Sequence, residues 1–132
     1  MSINRKTRQY SDLNLLFTTH PTTADITKKI DEEAVKASIR NLISTRNYER
    51  PFHPEIGCQV FSLLFENFNP ITTQVMKNTI RDVIQKYEPR VKLLDVSIRD
   101  RSDNNEIQIE VFFKLINSEK PITLTSVISR VR

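Results

Sequence analysis

Catalysis by a chain of this size would need carboxylates at a set separation, a thiol beside an imidazole, or a cluster of metal ligands. Cys58 is the only cysteine, and it follows a glycine and precedes an apolar run, the usual setting of a buried, unreactive thiol. His53 stands five residues before it, fixed between Phe52 and Pro54, and His20 before Pro21 reads as a turn residue. One cysteine and two histidines exclude an intrachain disulfide and a structural zinc site of the Cys/His type. Glu32 and Glu33 are adjacent at a helix start, where the helix dipole accounts for them. Glu49, Glu55, Glu66 and Glu88 fall in or near loops, and nothing in their surroundings raises a carboxyl pKa as a glycosidase acid requires. A single glycine, Gly57, rules out glycine-rich phosphate loops of the dinucleotide and P-loop kinds. No catalytic residue, cofactor or metal is expected.

The residues that stand out are suited to contact. Tyr87-Glu88-Pro89-Arg90 stops a helix, and two readings of it stand side by side. In one it is a terminator, with Tyr87 in the core and Arg90 complementing the helix dipole. In the other, Pro89 fixes the chain so that Glu88 and Arg90 project as a carboxylate and a guanidinium free for bidentate contacts. A second candidate is the loop Arg46–Gly57, whose two prolines exclude a regular helix or a central strand. Its contact residues are Arg50, Phe52, Pro54, Glu55 and Gly57, the last supplying a positive φ or a close backbone approach.

These segments need elements to position them. Residues 1–14 are polar and basic and are expected to form a flexible or partner-ordered arm, followed by a single domain over 15–132. Leu13–Phe17 and Asp25–Ile30 suit short extended segments. Asp31 suits an N-cap, and Val35, Ile39, Leu42 and Ile43 mark an amphipathic helix to about Thr45. Phe61, Leu64, Phe65 and Phe68 fit a short buried helix ended by Asn67 and Pro70. With Thr72 as N-cap, Ile71 and Met76 form a hydrophobic staple. Met76, Ile80, Val83, Ile84 and Tyr87 then continue one stripe. From Val91 the period becomes two: Leu94, Val96 and Ile98, then Ile107, Ile109, Val111, Phe113 and Leu115 across a polar turn, an antiparallel hairpin. Ile122 to Arg132 reads as a last strand. The fold class is α+β, with two or three helices on a small, mainly antiparallel sheet.

The formal charge of +4 brings nucleic acid into consideration, but the basic residues are scattered and no aromatic platform sits among them. A basic nucleic-acid-binding module is the first alternative, and a lysozyme-like hydrolase the second. No apolar run approaches the roughly 20 residues that cross a bilayer. The first residues lack the apolar stretch of a signal peptide, so folding in a cytoplasm is expected.

Three motifs together resemble one family. Arg50-Pro51-Phe52-His53-Pro54-Glu55-Ile56-Gly57-Cys58, then Leu64-Phe65-Glu66-Asn67, then Tyr87-Glu88-Pro89-Arg90 look like the signature of the baseplate-wedge, or sheath-initiator, proteins of contractile-tailed phages, which have relatives in type VI secretion baseplates. Ile56 departs from the second aromatic more usual there. The resemblance implies a structural subunit of the virion tail baseplate, with other wedge proteins, the tail sheath protein and tube or hub proteins as partners. It implies that Glu88, Pro89 and Arg90 hold the subunit to the wedge's helical core, and that a sheet edge receives the first sheath strands. Phe112, Lys114, Leu124 and Val127 are the candidate sheath contacts on those strands. The family has also carried a lysozyme-like label, which these residues do not support.

Overall fold

In the computed structural model, which describes residues 10–26 and 28–130, helical and extended segments separate into two layers. The elements in chain order are β1 (Ser11–Leu13), β2 (Lys28–Ile30), α1 (Glu32–Ser44), α2 (Val60–Leu63), α3 (Pro70–Tyr87), β3 (Val91–Arg101), β4 (Glu106–Leu115) and β5 (Pro121–Ser129). Three strands form an antiparallel sheet in the order β3-β4-β5, and β1 pairs with β2 in a separate ribbon. The architecture is the expected α+β. Of the expected arm, residues 1–9 lie outside the described ones, while Ser11–Leu13 is a paired strand.

The helices cover one face of the sheet, α3 against β3 and α1 against α3 and β5. Val35, Ile39 and Ile43 of α1 and Met76, Ile80 and Ile84 of α3 are fully buried against Ile107, Ile109, Val111 and Phe113 of β4. Strict alternation makes this possible, because every odd residue from Ile107 to Leu115 points into the core. The same period gives β5 its inward Ile122, Leu124, Ser126 and Ile128.

Four local expectations are corrected. α3 starts at Pro70, not Thr72: Asn69 caps it by accepting the Thr72 N–H at 2.8 Å, and proline takes the first helical position, where no N–H is needed. Ile71 is therefore on the first turn and 76 % exposed, not a staple. Leu94 does not face the core, because the β3–β4 register shifts between Leu93 and Asp95. The bulge lets Leu93 and Val96 share the inner face and turns Leu94 out. Phe65 is exposed at the end of α2, whereas Val60 and Leu64 supply the buried contacts.

Candidate docking site

The Arg46–Gly57 loop is braced from within. The Arg46 N–H donates to Glu49 Oε2 at 2.9 Å, and the Tyr48 N–H to the Pro54 carbonyl at 2.9 Å. The Ile56 N–H donates to the His53 carbonyl at 3.1 Å, and the Cys58 N–H to the Thr45 carbonyl at 2.8 Å. Gly57 has no positive φ; the requirement there is close approach. A Cβ at Gly57 would lie 2.7 Å from the Arg46 carbonyl carbon, closer than atoms pack. The Arg46 guanidinium lies over the Phe61 ring, 4.7 Å from its centroid, tying the loop's start to α2. From this frame Arg50, Phe52, Pro54 and Glu55 all reach solvent, Phe52 at 90 % exposure. Tyr48 joins them, 83 % exposed and at φ 66, a strained conformation for a bulky residue that the loop's bonds hold in place. Sequence reading passed over Tyr48, although an aromatic beside Phe52 in one loop was the available signal.

The loop is fastened to the end of α3. Tyr87 is half-buried rather than core, and its hydroxyl donates to the Glu55 carbonyl at 3.0 Å. After it the chain turns inward. Glu88 is only 2 % exposed, and Arg90 binds it bidentately, Nε to Oε1 at 2.5 Å and Nη2 to Oε2 at 2.8 Å. The expectation of a free carboxylate and a free guanidinium is thus corrected: each is the other's partner, because a carboxylate turned toward the helix layer needs a counter-charge. Burial pushes the Glu88 carboxyl up, but hydrogen bonds from Arg90 and Ser38, with Arg90's charge, outweigh it and hold it below the usual range. Ser38 on α1 thus ties the pair to the helix layer. The Ile116 N–H donates to the Arg90 carbonyl at 3.1 Å, fixing the turn to the sheet. What faces solvent is Pro89 and part of Arg90. A recess of about 300 Å³ lined by Ser38, Arg50, Ile56 and Tyr87 joins loop and helix end into one surface.

The sheet places the other candidates. β4 is central, so β3 and β5 are its edges. Phe112 and Lys114 lie on the face away from the helices, with Phe112 opposite Asp95 and Thr123. Val127 is on that outer face and 46 % exposed, whereas Leu124 is 3 % exposed and belongs to the core. Leu124 is therefore removed as an exposed contact; its position in the period of two points it inward. The motif Leu64–Asn67 sits apart, its Phe65, Glu66 and Asn67 lining a cavity of about 800 Å³ with Asp100, Asn105 and Arg130.

Burial raises the Cys58 thiol pKa, which disfavours a nucleophilic thiolate. His53 faces Glu55 Oε1 at 3.3 Å in the exposed loop. Among the described residues no three of His, Cys, Asp and Glu are grouped to hold a metal ion, and no helix is long and apolar enough to cross a membrane.

With this geometry in view, similarity decides the lineage. The family model described as baseplate wedge protein gp25 matches residues 29–120. The baseplate wedge protein gp25 of Enterobacteria phage T4 is 32 % identical over 98 residues, 74 % of each chain. This chain belongs to the baseplate wedge family. Solved structures share the fold. A Geobacter sulfurreducens protein described as a tail lysozyme has a TM-score of 0.71 at 24 % identity, covering 76 % of this chain and 92 % of its own. A chain of the anti-feeding prophage baseplate has a TM-score of 0.64 at 22 % identity, over 90 % of this chain and 84 % of its own. A chain of the type VI secretion baseplate complex has a TM-score of 0.56 at 19 % identity, over 72 % and 91 %. The wedge-family match takes in the braced loop, Glu88–Arg90, β3 and β4; β1 and β5 fall outside it.

Proposed function

We propose that the chain is a non-enzymatic wedge subunit of a contractile-tail baseplate, bound to other wedge proteins through the Arg46–Gly57 loop and the Glu88-Pro89-Arg90 turn. The observation that carries this reading is the joint between the two motifs, Tyr87 Oη on the Glu55 carbonyl. It makes one rigid surface from two stretches about thirty residues apart in sequence. Rigid aromatic residues and arginines at such a surface suit a binding contact, because little side-chain freedom is lost on docking. Within it the buried Glu88–Arg90 pair sets the turn's shape, while Phe52, Tyr48, Arg50, Pro89 and the open side of Arg90 make contact.

The β5 edge offers the start of the sheath. β5 carries no charged side chain from Pro121 to Ser129, so its open edge can pair with an added strand. β3, the other edge, has a bulge and the charges Lys92, Asp95, Arg99, Asp100 and Arg101, the devices that discourage pairing. Co-isolation with tagged wedge proteins tests the docking surface. Phe52→Ala, at a 90 % exposed position, leaves the fold intact and reduces the wedge proteins recovered by at least tenfold. Undiminished recovery contradicts the assignment.

A further inference from the structure

The Glu88–Arg90 pair is overlaid by a strand that the wedge-family match does not include. The Tyr10 ring lies beside the Arg90 guanidinium, 5.5 Å from centroid to central carbon. Glu88 is the main group raising that guanidinium's pKa, and the Asp12 carboxylate adds to it. The strand is latched at one residue. Asp31 Oδ1 accepts the Tyr10 N–H at 2.7 Å, and the Asp31 N–H donates to the Tyr10 carbonyl at 2.6 Å. To do this Asp31 adopts φ 46 and gives up capping α1, for its carboxylate makes no cap bond. A non-glycine residue held in that region marks a position that the surrounding contacts determine.

Beyond the latch, β1 rests against α1 without burying a side chain of its own. β1 pairs with β2 over three residues, and the side chains of Ser11, Asp12 and Leu13 are all exposed. A two-stranded ribbon of three residue pairs is marginal by itself. Such a segment opens on its own while the core stays folded.

We propose that Tyr10–Leu13 is a strap, latched at Asp31 and resting on Arg90, that opens without unfolding the domain and whose opening is coupled to the engagement of Arg90. A partner that draws the guanidinium away from Tyr10 loosens the strap, and a loosened strap frees that side of Arg90 for the partner, the two effects being equal by linkage. The purpose assigned to the opening rests on the docking function above. The strap itself is tested in the free chain.

Amide hydrogen exchange on the full chain reads it, with β4 as the internal reference. In the wild type the Tyr10 and Asp31 amides exchange together, and much faster than Ile109 and Val111. Tyr10→Ala speeds exchange at Asp31 about two- to fivefold, the loss of one cation–π contact, with Ile109 unchanged. Asp31→Ala speeds exchange at Tyr10 at least tenfold, while Asp31→Asn, which keeps the acceptor, stays near wild type. Arg90→Lys also speeds exchange at Asp31 relative to Ile109, which an uncoupled latch would not show. Exchange at Tyr10 and Asp31 as slow as in β4, or an Asp31 amide indifferent to Arg90→Lys, overturns the proposal. Normal recovery of wedge proteins by Arg90→Lys, with the coupled exchange intact, removes the docking role of Arg90 and leaves the strap standing.

Discussion

Glu88 and Arg90 behave as one unit with two charges. Removing Arg90 leaves a 2 % exposed carboxylate without its bidentate partner, and breaking a buried pair from one side costs about 3 kcal/mol. Arg90→Ala is therefore expected to lower stability by that order in urea denaturation, and to weaken wedge binding both through the altered turn and through loss of the contact proposed for the open side of Arg90. The folded Glu88 carboxyl is held below its unfolded value, so its contribution is complete at neutral pH. It is lost as the pH falls below about 4.3, the unfolded value, toward the lower folded one. In Glu88→Gln that part of the acid sensitivity disappears, and the gap in urea midpoint between pH 7 and pH 3 narrows; an unchanged gap contradicts it. At Gly57 the prediction is steric. Gly57→Ala sets a Cβ 2.7 Å from main chain that cannot yield cheaply, and costs roughly 1–3 kcal/mol in the same assay. The sequence marked Glu88 and Arg90 by the proline between them, and Gly57 as the single glycine of the chain, at the end of a loop. Which way Glu88 pointed was not legible there, because the same tetrapeptide permits a projecting carboxylate and an inward one. In the fold the carboxylate is turned inward, with Arg90 folded over it as a bidentate partner.

Among the elements, those with sustained periodicity were legible almost to the residue. Helix α1 and strand β4 have long apolar patterns with one solution, and they bury the side chains the period selects. The misreadings fall where a local device overrides the period. The Leu93/Asp95 bulge changes which leucine faces inward, and Asn69 captures the start of α3 ahead of Thr72. Asp31 looks like a cap by type and position but bonds a strand distant in sequence, a contact that no local pattern encodes. The edge assignment also became clear only with topology, since the order β3-β4-β5 removes β4 as an edge. Deleting the last ten residues would strip Leu124 and Ile128 from the core, so the β5 edge is better probed by a point substitution. Val127→Lys places a charge on an exposed outer-face position and leaves the thermal midpoint within about 2 °C of wild type. A large fall in the midpoint would show that the position is structural.

The whole molecule presents two working surfaces on one small core. Loop and helix end form the first, and the uncharged β5 edge the second. Under the proposed function, the domain would act as a spacer between the wedge proteins it docks on and the sheath it starts. The central claim is that this spacer offers β5 as the template for sheath. Baseplates reconstituted with wild-type or Val127→Lys chain, mixed with purified sheath protein and counted by electron microscopy, test it most directly. The expected result is equal incorporation of both chains into the baseplate, with sheath growing from the wild-type baseplates and at least tenfold fewer sheathed particles with the variant. Equal numbers of sheathed particles would contradict the account.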